Sequence, residues 1–238
     1  EKTSPTDLQT DADMESEAAF RKELPKILPG SVVLGEESAD ARIVAGEDPY
    51  LELHEKDTPV WVIDPIDGTR NFAQGRETFA VLLALVMNET AIYGWIYDIP
   101  GHRLAYAQAG EGASLDDTPL NFETPDEDTA DTILNDIKGY SHRSRIVKQI
   151  EAEHSNVDIL SLNCAAHEYL GLLTGERDFS VYKTTKPWDH LAGSLILKEA
   201  GGLVQHWDGA AYNPLRQESG IVCARRPEVI QALRPYLG

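Results

Sequence analysis

Six residues constrain this chain more than any others: Asp64-Pro65-Ile66-Asp67-Gly68-Thr69. They follow an apolar run at 60–63 that reads as a short buried strand. The strand delivers two carboxylates, three positions apart across a proline. Pro65 fixes its own φ and pushes Asp64 towards an extended conformation. Gly68 permits a tight turn, and Thr69 can open a helix. Carboxylates at a strand end, followed at once by helix-start N–H groups, suit a metal ion and a phosphate side by side.

The flanking sequence predicts a layered protein. Thr10 can cap a helix over 11–28, bent at Pro25, with Asp11 and Asp13 in its first turn. A strand over 32–34 closes at Gly35-Glu36-Glu37-Ser38, and 40–57 is expected to be mostly loop with a short helical piece. Strands over 78–87, 91–97 and 103–108 form a meander. The stretch 118–129, rich in Pro, Asp, Glu and Thr, is the expected boundary between an N-terminal α+β lobe (1–117) and a C-terminal α/β lobe (118–238).

The second half alternates. Strands are predicted over 131–136, 158–162, 179–182, 203–206 and 220–224, with helices over 142–154, 165–174, 189–200 and 227–237. Taken singly, Asp13 is a first-turn acid, Glu36 and Glu37 are surface loop, and Asp189 is an N-cap.

The chain has 238 residues, 42% of them hydrophobic, enough for one large domain or two tightly packed lobes. A formal charge of −19 argues against nucleic-acid binding through a basic face. No apolar run approaches the ~20 residues of a membrane span, so no membrane partner is expected. Cys164 and Cys223 form no metal or redox motif, and a reduced, cytoplasmic setting is expected.

Together the acids form an ordered set: Asp13, Glu36-Glu37, the Asp64 to Thr69 box, then Trp188-Asp189 with Gly201-Gly202 downstream. In this order and separation they resemble the inositol monophosphatase family, part of the lithium-sensitive, magnesium-dependent phosphomonoesterase superfamily. The resemblance covers nearly the whole chain. It implies an α/β fold of the αβαβα five-layer sandwich type, shared with fructose-1,6-bisphosphatases, and a cofactor of two or three Mg2+ ions. By similarity, Glu36, Asp64 and the Ile66 carbonyl hold one metal; Asp64 also bridges to a second, bound by Asp67 and Asp189. Glu37 acts at one remove or through water. Thr69 orients the attacking water, Asp13 accepts from the Thr69 hydroxyl, and the N–H groups of Gly68 and Thr69 cradle the phosphate. Residues 2–13 correspond to the family's mobile loop, with Lys2 directed at the active site. Homodimers are common in the family, and one is expected here.

The substrate pocket departs from the pattern. Members favouring inositol phosphates carry a glutamate seven residues before the Trp-Asp aspartate, where this chain has Tyr182. Lys183 and Lys186 could favour an anionic substrate or could be exposed loop residues. His167 is expected in the pocket wall rather than as a metal ligand. The leading reading is a phosphatase of a small, inositol-monophosphate-like ester. Histidinol phosphate, a nucleotide 3′-phosphate or a sugar bisphosphate are alternatives, and a protein-binding regulator is the alternative of another class.

Overall fold

The computed structural model describes residues 10–122, 133–142 and 144–237. Two sheets form its frame. The first has seven strands in sequence order, β1 (Val32–Gly35), β2 (Val60–Asp67), β3 (Ala80–Met87), β4 (Thr90–Asp98), β5 (Arg103–Gln108), β6 (Gly112–Leu115) and β7 (Thr118–Leu120). Only β1 and β2 run parallel; the rest is an antiparallel meander. The second sheet has five strands in the order β11 (Leu203–His206), β12 (Ile221–Ala224), β10 (Phe179–Tyr182), β8 (Ile137–Ser141), β9 (Val157–Leu160). Its β8, β9 and β10 are parallel.

Period-two alternation sorts the strand residues into separate cores. From β2, Val60 and Val62 join the central cluster, whereas Trp61 and Ile63 face Phe20 and Leu24 of α1 (Asp11–Ile27). From β12, Ile221 and Cys223 join the central cluster, whereas Val222 and Ala224 face the outer one. The central cluster is filled by α5 (Ala165–Thr174) and α6 (Pro187–Glu199). The outer one holds Ile146 and Ile150 of α4 (Ser144–Glu153) and Val229, Ile230 and Leu233 of α7 (Pro227–Leu233). The layers are therefore helix, sheet, helix pair, sheet, helix pair, the expected αβαβα arrangement. Among the described residues no helix is long and apolar enough to cross a membrane.

Three sequence expectations need correction. The segment from Glu36 is not a loop: α2 (Glu36–Ala45) begins immediately after β1, and a 3-10 turn at Leu51–His54 follows. The strand expected at 131–136 lies later, at Ile137–Ser141, and residues 133–134 are helical. β7 carries the first sheet to Leu120, three residues past Asp117. The helix expected over 11–28 is found at Asp11–Ile27 with Pro25 inside it, and Leu28, which precedes Pro29, is extended.

Candidate active site

The site lies where the carboxyl ends of parallel strands meet, the usual ligand-binding edge of α/β sheets. β1 ends against Ile63, so Asp64 to Asp67 project beyond their neighbour strand. The pairing of β2 with β3 slips between Asp64 and Asp67, where Pro65 removes a donor. Asp64 Oδ1 accepts from the Ile66 N–H at 3.0 Å, fixing the bend. Gly68 then adopts φ 90° and ψ 30°. A Cβ there would stand 2.7 Å from the Thr78 carbonyl oxygen, so only glycine fits. Thr69 opens α3 (Thr69–Ala73), a helix of little more than one turn.

Asp13 is fully buried and reaches this turn from α1. Its Oδ2 accepts from the Thr10 N–H at 2.8 Å and from the Thr10 hydroxyl, completing a capping box. Its Oδ1 lies 3.3 Å from the Thr69 hydroxyl, which also lies 3.0 Å from the Ile66 carbonyl oxygen. The Thr69 hydroxyl thus has one proton and two acceptors.

Glu36 and Glu37 open α2, and their helix start is capped from a distance. Glu17 of α1 accepts from the Glu37 N–H at 2.9 Å and from the Ser38 N–H at 3.3 Å. Arg21 holds the same carboxylate at 3.0 Å and donates to the Val33 carbonyl at 2.8 Å. Gly35 makes room: a Cβ there would fall 2.2 Å from the Glu17 carboxyl carbon. Neither Glu17 nor Gly35 announced this role in the sequence, because their contact spans distant residues.

Asp67 is anchored from the second half of the chain. Its Oδ2 accepts from the Ala166 N–H at 2.5 Å and from the Cys164 thiol at 3.2 Å. Asn71 ties α3 to the same segment, donating to the Thr78 and Leu162 carbonyls at 2.9 Å each.

The carboxylates perturb one another. Burial raises the Asp64 pKa well above the usual range, and the charges of Glu36, Asp67 and Asp189 raise it further. Burial also raises Glu36, with Asp189 next in importance and Lys186 opposing. Burial raises Asp67 despite the Ala166 N–H, which lowers it. Like charges brought together from β2, α2 and α6 disfavour full ionisation unless a cation joins them. Lys186 supplies part of that charge: its ammonium lies 3.0 Å from Asp40 Oδ1 and 5.1 Å from the Trp188 ring centroid. Burial opposes its charge, yet Asp40, Asp189 and Glu36 hold its pKa above the ordinary lysine value.

The donor set is all hard oxygen, which suits magnesium or calcium rather than a soft metal. Among the described residues, no three His, Cys, Asp or Glu side chains already converge on one point as a finished metal shell. The carboxylates are electrostatic neighbours that an ion would draw together.

The remaining sequence candidates are dispersed. Tyr182 is 6% exposed, packs against the His190 ring at 4.6 Å, and its hydroxyl has no partner among the described residues. His167 points to Asp98, with Nε2 3.3 Å from Oδ1. Lys183 is exposed. Lys2 lies outside the described residues. The sequence reading weighed Glu168 only as a metal ligand beside His167 and set it aside, and it overlooked His142, which lies 3.4 Å from Glu168 beside the site. Their spacing along the chain carries no motif.

Comparison with known proteins agrees with this geometry. The model of the inositol monophosphatase family matches residues 1–236. The inositol-1-monophosphatase of Bacillus subtilis is 30% identical over 236 residues, covering 96% of this chain and 82% of that protein. The Nus factor SuhB of Pasteurella multocida is 31% identical over 236 residues, covering 97% and 82%. A solved IMPase/NADP phosphatase complexed with Mg2+ and phosphate superposes with a TM-score of 0.80 at 21% identity, covering 100% of this chain and 84% of that one. This chain belongs to the inositol monophosphatase family, a family of phosphoric monoester hydrolases.

Proposed function

We propose that this chain is a magnesium-dependent phosphatase acting on a small, inositol-monophosphate-like ester. The observation that carries the reading is the meeting of buried, mutually repelling carboxylates with a Thr69 hydroxyl 3.3 Å from Asp13. Glu36, Asp64 and the Ile66 carbonyl would hold one Mg2+ ion; Asp64, Asp67 and Asp189 would hold a second. A third would sit near Glu36 and Glu37. Bound magnesium neutralises phosphoryl oxygens and lowers the pKa of a coordinated water.

The chain's own residues supply orientation. The Thr69 hydroxyl accepts a hydrogen bond from the attacking water once its own proton is given to Asp13. Asp13 is locked by Thr10 and cannot swing away. The N–H groups of Gly68 and Thr69 hold phosphate oxygens as the ester bond breaks. Tyr182, His167 and Lys183 are assigned to the leaving-group side, and Lys2 to the loop over the site. The protein works as a homodimer in the cytoplasm.

Phosphate release with magnesium tests this. The panel comprises inositol monophosphates, histidinol phosphate, adenosine 3′,5′-bisphosphate, fructose-1,6-bisphosphate, simple sugar phosphates and p-nitrophenyl phosphate. The expected result is magnesium-dependent release, inhibited by lithium and led by an inositol monophosphate. Release led by another ester would replace the substrate. No release from any ester would move the regulatory reading, represented by relatives such as Nus factor SuhB, to the front. Sedimentation of the purified protein tests the dimer.

A further inference from the structure

The parallel strands of the second sheet also direct their carboxyl ends at the cleft, and those ends carry polar groups. His142 follows β8, Ser161 follows β9 and Tyr182 ends β10. His142 is clamped: Nε2 lies 3.4 Å from Glu168 Oε1, and Nδ1 lies 2.9 Å from the Ser161 hydroxyl. The Glu168 side chain is fully buried and accepts from the Leu162 N–H at 3.0 Å, whereas the His142 side chain is 42% exposed. A buried carboxylate therefore holds an open imidazole at the mouth.

Two further observations point to a ligand. Glu168 Oε2 and the Tyr182 hydroxyl are both buried without a protein partner. The carboxylate oxygen calls for a donor, a water or a leaving-group hydroxyl, whereas the tyrosine hydroxyl can donate to an anionic group. The loop between Ser161 and Ala166 also joins His142 to the metal ligands, since Leu162 meets Glu168 and Ala166 meets Asp67. The hydrogen bond His142 donates to Glu168 raises the His142 pKa, burial opposes the rise, and the charges of Glu168 and Asp67 add to it. The imidazole is thus cationic over a wider pH range. The other cations singled out for this role are differently placed: Lys186 is committed to Asp40, and Lys183 is solvent-exposed.

We infer that His142, positioned by Glu168 and Ser161, is the residue that selects the leaving group, and that it selects one bearing a second anionic group, carboxylate or phosphate. The inference rests on the phosphatase reading above and narrows its substrate class. Both ring nitrogens are engaged, so His142 acts on the anionic group through its charge at the exposed edge of the ring, and a unit-charge contact at about 4 Å sets the expected discrimination at about tenfold.

The test compares kcat/KM on matched pairs with magnesium present. One pair is 2-phosphoglycerate against glycerol 2-phosphate; the other is fructose 1,6-bisphosphate against fructose 1-phosphate. The wild type is expected to favour the doubly anionic member of at least one pair about tenfold, and which pair responds identifies carboxylate or phosphate. His142→Gln should bring that ratio close to one, through KM rather than kcat. His142→Lys should restore part of it, which a structural role for the ring would not allow. Glu168→Gln should lower the ratio by a smaller factor. A wild-type ratio near one in both pairs, or a ratio that His142→Gln leaves intact, overturns the inference while leaving the phosphatase standing. No release from any ester, p-nitrophenyl phosphate included, removes both.

Discussion

Replacing Gly35 by alanine tests how Glu36 and Glu37, proposed above to serve the metals, are held in place. Gly35 has φ −113° and ψ 157°, a conformation alanine adopts freely, so the backbone sets no penalty. The obstacle is the Glu17 carboxyl carbon, 2.2 Å from the new Cβ. Glu17 must withdraw, and the Glu37 and Ser38 N–H groups lose their acceptor. Loss of such a cap costs about 0.5–2 kcal/mol. Displacing packed neighbours adds about 1–3 kcal/mol. In a chain of this size the sum of about 1.5–5 kcal/mol lowers Tm by about 3–20 °C.

Glu17→Ala alone loses the cap without the clash, so it should cost about 1–2 kcal/mol. The double variant should then be no less stable than Glu17→Ala, because the group that Gly35 avoids is gone. The assay is thermal unfolding of wild type, both single variants and the double, each with EDTA and with magnesium. The expected coupling equals the whole Gly35→Ala cost, about 1.5–5 kcal/mol, in the double-mutant cycle. Magnesium affinity, by calorimetry, should fall in both singles, since Glu36 sits on the frayed turn. Additive effects, with the double variant worse than either single, would refute the reasoning.

Three other outcomes follow. Thr69→Ala should lower kcat about a hundredfold or more while changing magnesium affinity far less; equal losses in both would remove the water-orienting role. Without metal, stability should fall as pH rises from about 4, the unfolded carboxylate value, through the raised pKa values of Asp64 and Glu36. In that window the folded state holds protons that the unfolded chain has released, so the slope is negative. Urea unfolding in EDTA at several pH values checks the sign, and saturating magnesium should flatten the slope. A formal charge of −19 predicts that Tm rises by several degrees as KCl increases from about 0.05 to 1 M, because screening shortens from more than 10 Å to about 3 Å. A constant Tm would show that the acids are already locally compensated.

Much of this fold was legible because its signals are local. α5, β5, β10 and β11 fall at the bounds that periodicity predicts, and the bend at Asp64 to Thr69 follows from Pro65 and Gly68. The start of α2 was illegible because its cap comes from Glu17, and Gly35 reads locally as a breaker. The strand at Ile137–Ser141 was misplaced because the acids and small residues around it blur the alternation. At the site, the acids gained their meaning from the ordered set rather than from any one position. Cys164 and Ala166 looked like ordinary helix-start residues, yet they hold Asp67. His142 and Glu168 meet only once β8 and α5 are folded together.

The anchoring of Asp67 by Ala166 and Cys164 bears on how such chains diversify. The box at 64–69 arrives on the first sheet with its acids but without the donors that aim one of them. Asn71 repeats the dependence by gripping the Leu162 carbonyl. Exchange of one half between relatives is therefore tolerated only where the incoming segment rebuilds both grips. Gene fusion or recombination at the middle of the chain should yield folded but poorly metallated hybrids, whereas substitution within the loops that line the cleft can redirect the catalyst to new esters. The two halves must match as a pair, and the seam between them is where change costs least when both grips are kept.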